Sequence, residues 1–527
     1  MSHDESHGSV HARGNGMVAS PHVAASEAGR KVLASGGNAI EAAIAMGAVL
    51  AVVYPHFCGL GGDAVWVVAD GEGRSTSFLG IGQAGEACAD IRGEVPVRGP
   101  ASALTTACVV DSWGRAHAFS QSRWGGLMSW SRLLEPAIEL AQRGFPVSRS
   151  QDFWLDYRKE DWPAWPGFAS LFGEASPAGS LFRQPHLART LSHVAEEGAR
   201  SFYEGDLAHR IAKGLAEAGA PLSAADLVRT HTRTAKLESV KYRGLTLLAP
   251  TAPTQGITTL SIMATLEKLG IADVGEGTSD FYHLIVEAIK QAFLERDRIG
   301  DPDHDAFDLS VLSAASIAQK ATAVDRQVAR PWADEFATGD TVFFAACDGD
   351  GRAVSVLQSI YFDWGSGVVA GDTGILWQNR GAAFAPAGEP VNGLRPGARP
   401  FYTLNPGIAL KDGRPHLLYG TQGADGQPQT LATLLVRLID HAMPPQAALA
   451  APRFLLGRTF SDSRDNLKLE RNVGPGVADT LAAMGHETVL LEPLSPLCGQ
   501  AGVIRMDDDG VSGAHDPRGD GCALALR

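Results

Sequence analysis

Residues 341–347 and 352–360 are two runs rich in β-branched and aromatic residues, separated by Asp348, Gly349, Asp350 and Gly351. A glycine- and aspartate-rich turn between two such runs predicts a β-hairpin. With a three-residue loop, Gly349 to Gly351, Thr341 falls opposite Ser359, and the two side chains share one face of the sheet. A loop of two or four residues would change that register. The preceding stretch, 301–339, is polar and pattern-poor and is interrupted by Pro302 and Pro331, so it reads as a surface linker or exposed connection. Thr341 therefore opens a strand directly after Gly339 and Asp340, at the end of an exposed segment. Most threonines so placed are ordinary strand residues.

The first half of the chain has a different texture. Residues 22–35 are good helix formers and stop at Gly36, Gly37 and Asn38. They lead into an apolar run over 39–53, read as a buried helix paired with the first. Cys58 to Asp63 is a glycine turn, and Ala64 to Ala69 has the composition of a buried strand. Residues 131–218 read as mostly helical with a break near Trp162 to Pro166, and 280–298 as one long helix. Helices thus dominate before residue 300 and strands after 341, with no internal repeat. Length alone, 527 residues, leaves the domain count open.

Composition excludes several classes. A formal net charge of -14 with no cluster of Lys or Arg argues against nucleic acid and against an anionic membrane surface, leaving a small molecule as the expected partner. The apolar run at 39–53 contains Glu41 and is too short for a membrane span. The six cysteines are scattered with no CxxC pair, and the first 16 residues lack the basic start and apolar run of a secretory signal. Reduced thiols and a cytoplasmic location are the expectations. There is no phosphate-binding GxxxxGK[ST], no GxSxG and no HExxH. Gly365, Ser366, Gly367 and Gly371 follow a hairpin and lack dinucleotide-loop spacing. The 16 histidines form no cluster spaced as metal ligands. Neither a cofactor nor a metal is expected.

Several segments resemble the γ-glutamyltransferase family in order along nearly the whole chain. They are Gly16 to Ser20, Gly36 to Ala39, Glu41 to Ala43, Gly59 to Gly62, Gly300 to Asp303, Asp348 to Ser355, Phe362 to Gly367, Gly371 to Leu376, Arg399 and Pro400, Ala451 to Arg453, and Gly513 to Arg518. The resemblance implies an α/β (α+β) protein of the N-terminal-nucleophile class, a four-layer αββα sandwich. It implies one precursor cut before a threonine into a large subunit, 1–340, and a small subunit, 341–527, and it allows a dimer of heterodimers. Aligned through the Asp348 turn, the cleavage falls between Asp340 and Thr341. A hydroxyl is a weak nucleophile at neutral pH, and a newly freed α-amino group with an ordinary pKa near 8 can take its proton. The same hydroxyl attacking the Asp340 carbonyl in an N-to-O acyl shift would explain self-processing. Ser359 takes the place of a family threonine that hydrogen-bonds the nucleophilic residue. Gly420 to Gly426 resembles the family's oxyanion loop, with Gly423 and Ala424 as the matching pair; Ala424 replaces a glycine.

The substrate-binding positions depart from the family. Ala383 stands where γ-glutamyl enzymes carry the acidic residue that holds the substrate amine, and Arg380 replaces an amide, so an ammonium would meet a cation. Tyr402 and Thr403 replace tandem serines, and Tyr361 replaces an asparagine. The family's carboxylate-pairing arginine falls on or beside Ile91, with Arg92 adjacent. Gln378 to Gly381, Tyr402 to Pro406 and Leu455 to Thr459 are similar to the oxamate amidohydrolase branch. That resemblance implies hydrolysis of a small carboxylated amide such as oxamate to acid and ammonia, with Arg380 or Arg458 as the carboxylate clamp. A γ-glutamyl hydrolase or transferase using other groups for the amine, and a non-catalytic relic of the fold, are the alternatives.

Overall fold

A computed structural model describes residues 10–12, 16–173, 177–332, 341–458 and 464–526. Two seven-stranded sheets are stacked face to face. One runs in the order Cys522–Ala525, Gly16–Ser20, Val342–Asp348, Ala353–Ser359, Asp63–Ala69, Ser75–Gly80, Arg233–Ala235. The other runs Val10–Ala12, Gly510–His515, Ala501–Asp507, Arg414–Thr421, Gly407–Lys411, Leu245–Pro250, Leu237–Tyr242.

The layering follows from the two-residue period of a strand. On Val342–Asp348, the side chains of Phe343, Ala345 and Cys347 pack with Leu248, Ile408, Leu418 and Ile504 of the opposite sheet. Val342, Phe344 and Ala346 point the other way, into a core shared with the helix Ala39–Val53. The outer face of the second sheet, with Leu247, Leu417, Tyr419 and Val503, packs under the helices Gly256–Leu269, Ser279–Phe293 and Gln427–Ile439. Helix, sheet, sheet and helix make the four-layer αββα sandwich. Close contact between the sheets needs small residues: a Cβ added to Gly420 would lie 2.2 Å from the Phe343 ring.

The hairpin has the register expected for a three-residue loop. Partners run from Val342 with Gln358 to Cys347 with Ala353. Gly351 donates its N–H to the Asp348 carbonyl at 3.1 Å and takes φ +73°, a left-handed conformation suited to glycine. Extended by one residue, this register sets Thr341 opposite Ser359. Alternation puts both on the side of Phe343 and Leu357, at the end of the layer between the sheets. Glu41 in the apolar helix is also accounted for, because its carboxylate accepts the N–H groups of Asn38 and Met128, both at 2.9 Å, in a capping box.

Two expectations change. The segment read as a surface linker contains a helix, Ala314–Ala323, and begins with buried acids. Asp301 pairs with Arg399, and Asp305 with Arg395 at 2.8 Å. Acids that look solvated in sequence are here docked onto partners more than eighty residues away, a pairing that local pattern cannot reveal. The expected long helix over 280–298 is instead Ser279–Phe293 followed by a separate 3-10 turn, Arg296–Arg298. All six cysteines are buried free thiols. Among the described residues no helix is long and apolar enough to cross a membrane.

Candidate active site

Thr341 is 1 % exposed, and its hydroxyl donates to Ser359 Oγ at 3.2 Å. Ser359 Oγ also accepts the Tyr361 N–H at 2.8 Å. The end of this strand is seated against the glycine turn: a Cβ on Gly62 would stand 2.2 Å from the Ser359 carbonyl oxygen, so only glycine permits the approach. Just beyond, Tyr361 adopts φ +81°, unfavourable for a bulky side chain, and this turns its ring onto Arg380. Burial pushes the Tyr361 phenol up to about 12, so it stays neutral.

Arg380 is completely buried. Its guanidinium carbon lies 3.9 Å from the Tyr361 ring centroid and 4.1 Å from that of Tyr402, a cation held between two aromatic faces. Nη1 donates to Thr403 Oγ1 at 3.3 Å, whereas Nε and Nη2 have no hydrogen-bond partner among the described residues. Those two nitrogens form the side-on fork that matches a carboxylate. Tyr402 donates its hydroxyl to the Asp63 carboxylate. Asp63 Oδ1 in turn accepts the N–H groups of Gly82 at 3.0 Å and Cys108 at 2.8 Å. Burial pushes Asp63 up to about 6, against the opposing effect of these hydrogen bonds.

The glycine-rich loop connects the strand Arg414–Thr421 to the helix Gln427–Ile439. Gly423 has φ +117° and Ala424 φ +40°, and the Gly426 N–H closes the turn onto the Gly423 carbonyl at 2.7 Å. Ala424 thus holds a left-handed conformation that the family's glycine would adopt without cost. Gln255 fixes it: its Nε2 donates to the carbonyls of Ala424 and Thr403, both at 2.7 Å. Contacts therefore run unbroken from Thr341 through Ser359, Tyr361, Arg380, Thr403 and Gln255 to Ala424. The assembly offers a hydroxyl, a turn at a helix N-terminus and a buried cation, the parts needed to attack a carbonyl next to an anionic group.

Not every candidate joins this cluster. Arg92 is exposed and donates to the Ala89 and Ile91 carbonyls. Arg458 pairs with Asp465 at 3.0 Å, with about a third of its side chain exposed. Only Arg380 of the three meets the aromatic walls. Ala383 supplies a backbone carbonyl to Asn392 Nδ2 at 2.6 Å and brings no carboxylate. Asp340, Gly339 and Thr459 lie outside the described residues. Sequence reasoning missed Asp63 and Gln255 as parts of the site. Asp63 closes the Gly59 to Gly62 motif and could have been suspected, whereas Gln255 carries no local signal.

Folding also gathers His283, Glu287 and His486, with ligand-type atoms within 4.8 Å of one another, which the spacing of histidines did not anticipate. Protein groups account for them. His283 hydrogen-bonds His486 at 2.9 Å and the Asp325 carbonyl at 2.8 Å, and the Lys290 ammonium sits 2.7 Å from Glu287. A lysine in that position opposes a cation.

Ser359 gives the first test of this geometry. In Ser359→Ala the Thr341 hydroxyl loses its acceptor, and turnover is expected to fall about tenfold, consistent with one neutral hydrogen bond of ~1 kcal/mol or slightly more. Ser359→Thr keeps the oxygen and is expected to retain most of the activity in steady-state kinetics.

An αββα sandwich with a threonine at the head of an inner strand is the architecture of N-terminal-nucleophile hydrolases. The gamma-glutamyltranspeptidase family model matches residues 25–526, and the chain belongs to that family. It is 42% identical over 521 residues to an oxamate amidohydrolase proenzyme of Klebsiella pneumoniae, covering 97% of this chain and 98% of the relative. It is 38% identical to a glutathione hydrolase-like proenzyme, YwrD, of Bacillus subtilis, with the same coverage of 97% and 98%. Among solved structures, a cephalosporin acylase from Bacillus halodurans superposes with a TM-score of 0.89 at 28% identity, over 100% of this chain and 98% of that one.

Proposed function

We propose that the chain is a self-processing amidohydrolase that converts a small carboxylated amide such as oxamate to the corresponding acid and ammonia. The carrying observation is Arg380, fully buried between two tyrosine rings with Nε and Nη2 unpartnered among the described residues. A desolvated guanidinium with no carboxylate in direct contact among the described residues is costly, and a bound carboxylate offsets that cost. A γ-glutamyl substrate would instead bring an ammonium toward Arg380 with no acid at Ala383.

In this reading Thr341 Oγ first attacks the Asp340 carbonyl carbon, and the amide nitrogen leaves as the free amine of Thr341. Water then hydrolyses the ester, releasing an Asp340 carboxylate and restoring the hydroxyl. In turnover the α-amino group accepts the Thr341 proton while Oγ bonds to the substrate's amide carbon. The N–H groups of Gly423 and Ala424 stabilise the oxyanion, with each such donor worth about 3 to 4 kcal/mol in comparable sites. Ammonia departs with a proton, and water cleaves the acyl ester to give the acid. The two pieces, 1–340 and 341–527, stay together as large and small subunits of one αββα unit, and two such pairs would form the dimer of heterodimers. Location in the cytoplasm fits the reduced cysteines.

A paired assay tests the reading. Ammonia release from oxamate is expected to exceed anilide release from a γ-glutamyl anilide by at least a hundredfold in kcat/KM. A preference for the γ-glutamyl compound would overturn the substrate assignment and leave the nucleophile in place.

A further inference from the structure

The buried arginines of this chain show what is unusual about Arg380. Arg437 contacts Glu276 at 2.8 Å, Arg453 contacts Asp516 at 2.6 Å, and Arg518 contacts Glu470 at 2.5 Å. Arg399 is likewise paired with Asp301. In each case a carboxylate rests directly on the guanidinium and occupies part of its donor edge. Arg380 is as deeply buried, and the charge of Asp63 reaches it through a phenol instead. Asp63 takes the hydrogen bond of Tyr402, and it is the face of the Tyr402 ring that lies 4.1 Å from the guanidinium carbon.

This arrangement separates two roles that a direct ion pair would merge. A carboxylate accepting a phenolic proton pulls that proton toward itself and raises the electron density of the ring. The negative face of the ring is what attracts a cation stacked upon it. Negative charge from Asp63 is thereby delivered to the flat face of Arg380, while Nε and Nη2 at its edge stay unoccupied among the described residues. A direct Asp–Arg contact would compensate the charge more fully but would occupy part of the donor edge.

We propose that Asp63 is a positioning residue for substrate binding, acting through Tyr402 to hold and partly neutralise Arg380 while leaving its carboxylate-binding edge open. The inference rests on the reading of Arg380 as the substrate fork. Asp63 is itself locked by the Gly82 and Cys108 amides, so its oxygen toward Tyr402 has a fixed place. Tyr402 lies in the layer between the sheets with Leu404 and Ile408, which fixes the ring as well.

The test uses the full, self-cleaved protein and oxalate, a planar two-carbon carboxylate, as probe. Tyr402→Phe keeps the ring and removes the proton donor; Asp63→Asn keeps an acceptor for the two amides and removes the charge. Splitting into two pieces, followed on a denaturing gel, reports that each variant folds. The expected result is that oxalate binding by titration calorimetry weakens about tenfold in both variants, and that KM for oxamate rises in parallel while kcat falls much less. Wild-type protein that binds oxalate, with both variants binding it equally well, would overturn the role of Asp63 and leave the Arg380 reading standing. Equal losses in kcat and KM with unchanged oxalate affinity would assign the pair a purely structural role and overturn it too. Wild-type protein that binds no oxalate would overturn both readings together.

Discussion

Thr341→Ala protein stays a single 527-residue chain and loses amidohydrolase activity by about 10⁴-fold or more, the scale expected when a covalent nucleophile is removed. Both losses come from one atom, because the same Oγ attacks first the chain's own Asp340 carbonyl and then the substrate. The fold of the variant should be retained. Thr341 hydrogen-bonds at the end of the inter-sheet layer, through the contact at 3.2 Å to Ser359, and removing a hydroxyl there costs little stability. Thr341→Ser is expected to restore splitting and part of the activity, since it returns the oxygen. A gel and an ammonia assay on the same preparations check both outcomes.

Arg380→Met is expected to separate activity from stability as well. Truncating the cationic partner of a desolvated carboxylate costs about 3 to 4 kcal/mol, which is a ~10²- to 10³-fold fall in kcat/KM for oxamate. Arg380→Lys should not rescue it, because an ammonium cannot present two parallel N–H groups or lie flat between Tyr361 and Tyr402. In the unliganded protein the loss of a buried cation is set against the loss of its compensation of Asp63, which keeps its hydrogen bonds from Tyr402, Gly82 and Cys108, so the melting temperature of Arg380→Met should stay close to that of the wild type. Calorimetry with and without oxalate, which is not turned over, separates the terms: the ligand should raise the melting temperature of the wild type and not of the variant.

The hairpin is legible in the sequence because its signals are local. A glycine-rich turn and alternating side chains are encoded within twenty residues and favour Thr341 against Ser359, while the three-residue loop that fixes this register over its neighbours is read from the structure. The apolar helix Ala39–Val53 is legible for the same reason. Contact between distant segments is what stays hidden. Gln255 reaches Thr403 and Ala424 across 148 and 169 residues, and nothing in its neighbourhood marks it. Asp301 and Asp305 look like solvated loop acids until Arg399 and Arg395 are brought to them. The sequence leaves Arg380 and Arg458 as alternative clamps, with Arg92 beside the position of the family's arginine. Burial distinguishes them, since Arg380 is enclosed by rings while Arg92 and Arg458 are engaged by their own neighbourhoods.

The central claim is that a mid-chain hydroxyl acquires its own terminal amine. Intact-mass analysis of the purified protein under denaturing conditions, with N-terminal sequencing of the smaller piece, tests it most directly. Two polypeptides are predicted, the first ending at Asp340 and the second beginning at Thr341. An active preparation that remains one unbroken chain, or whose smaller piece begins at any other residue, would contradict the assignment.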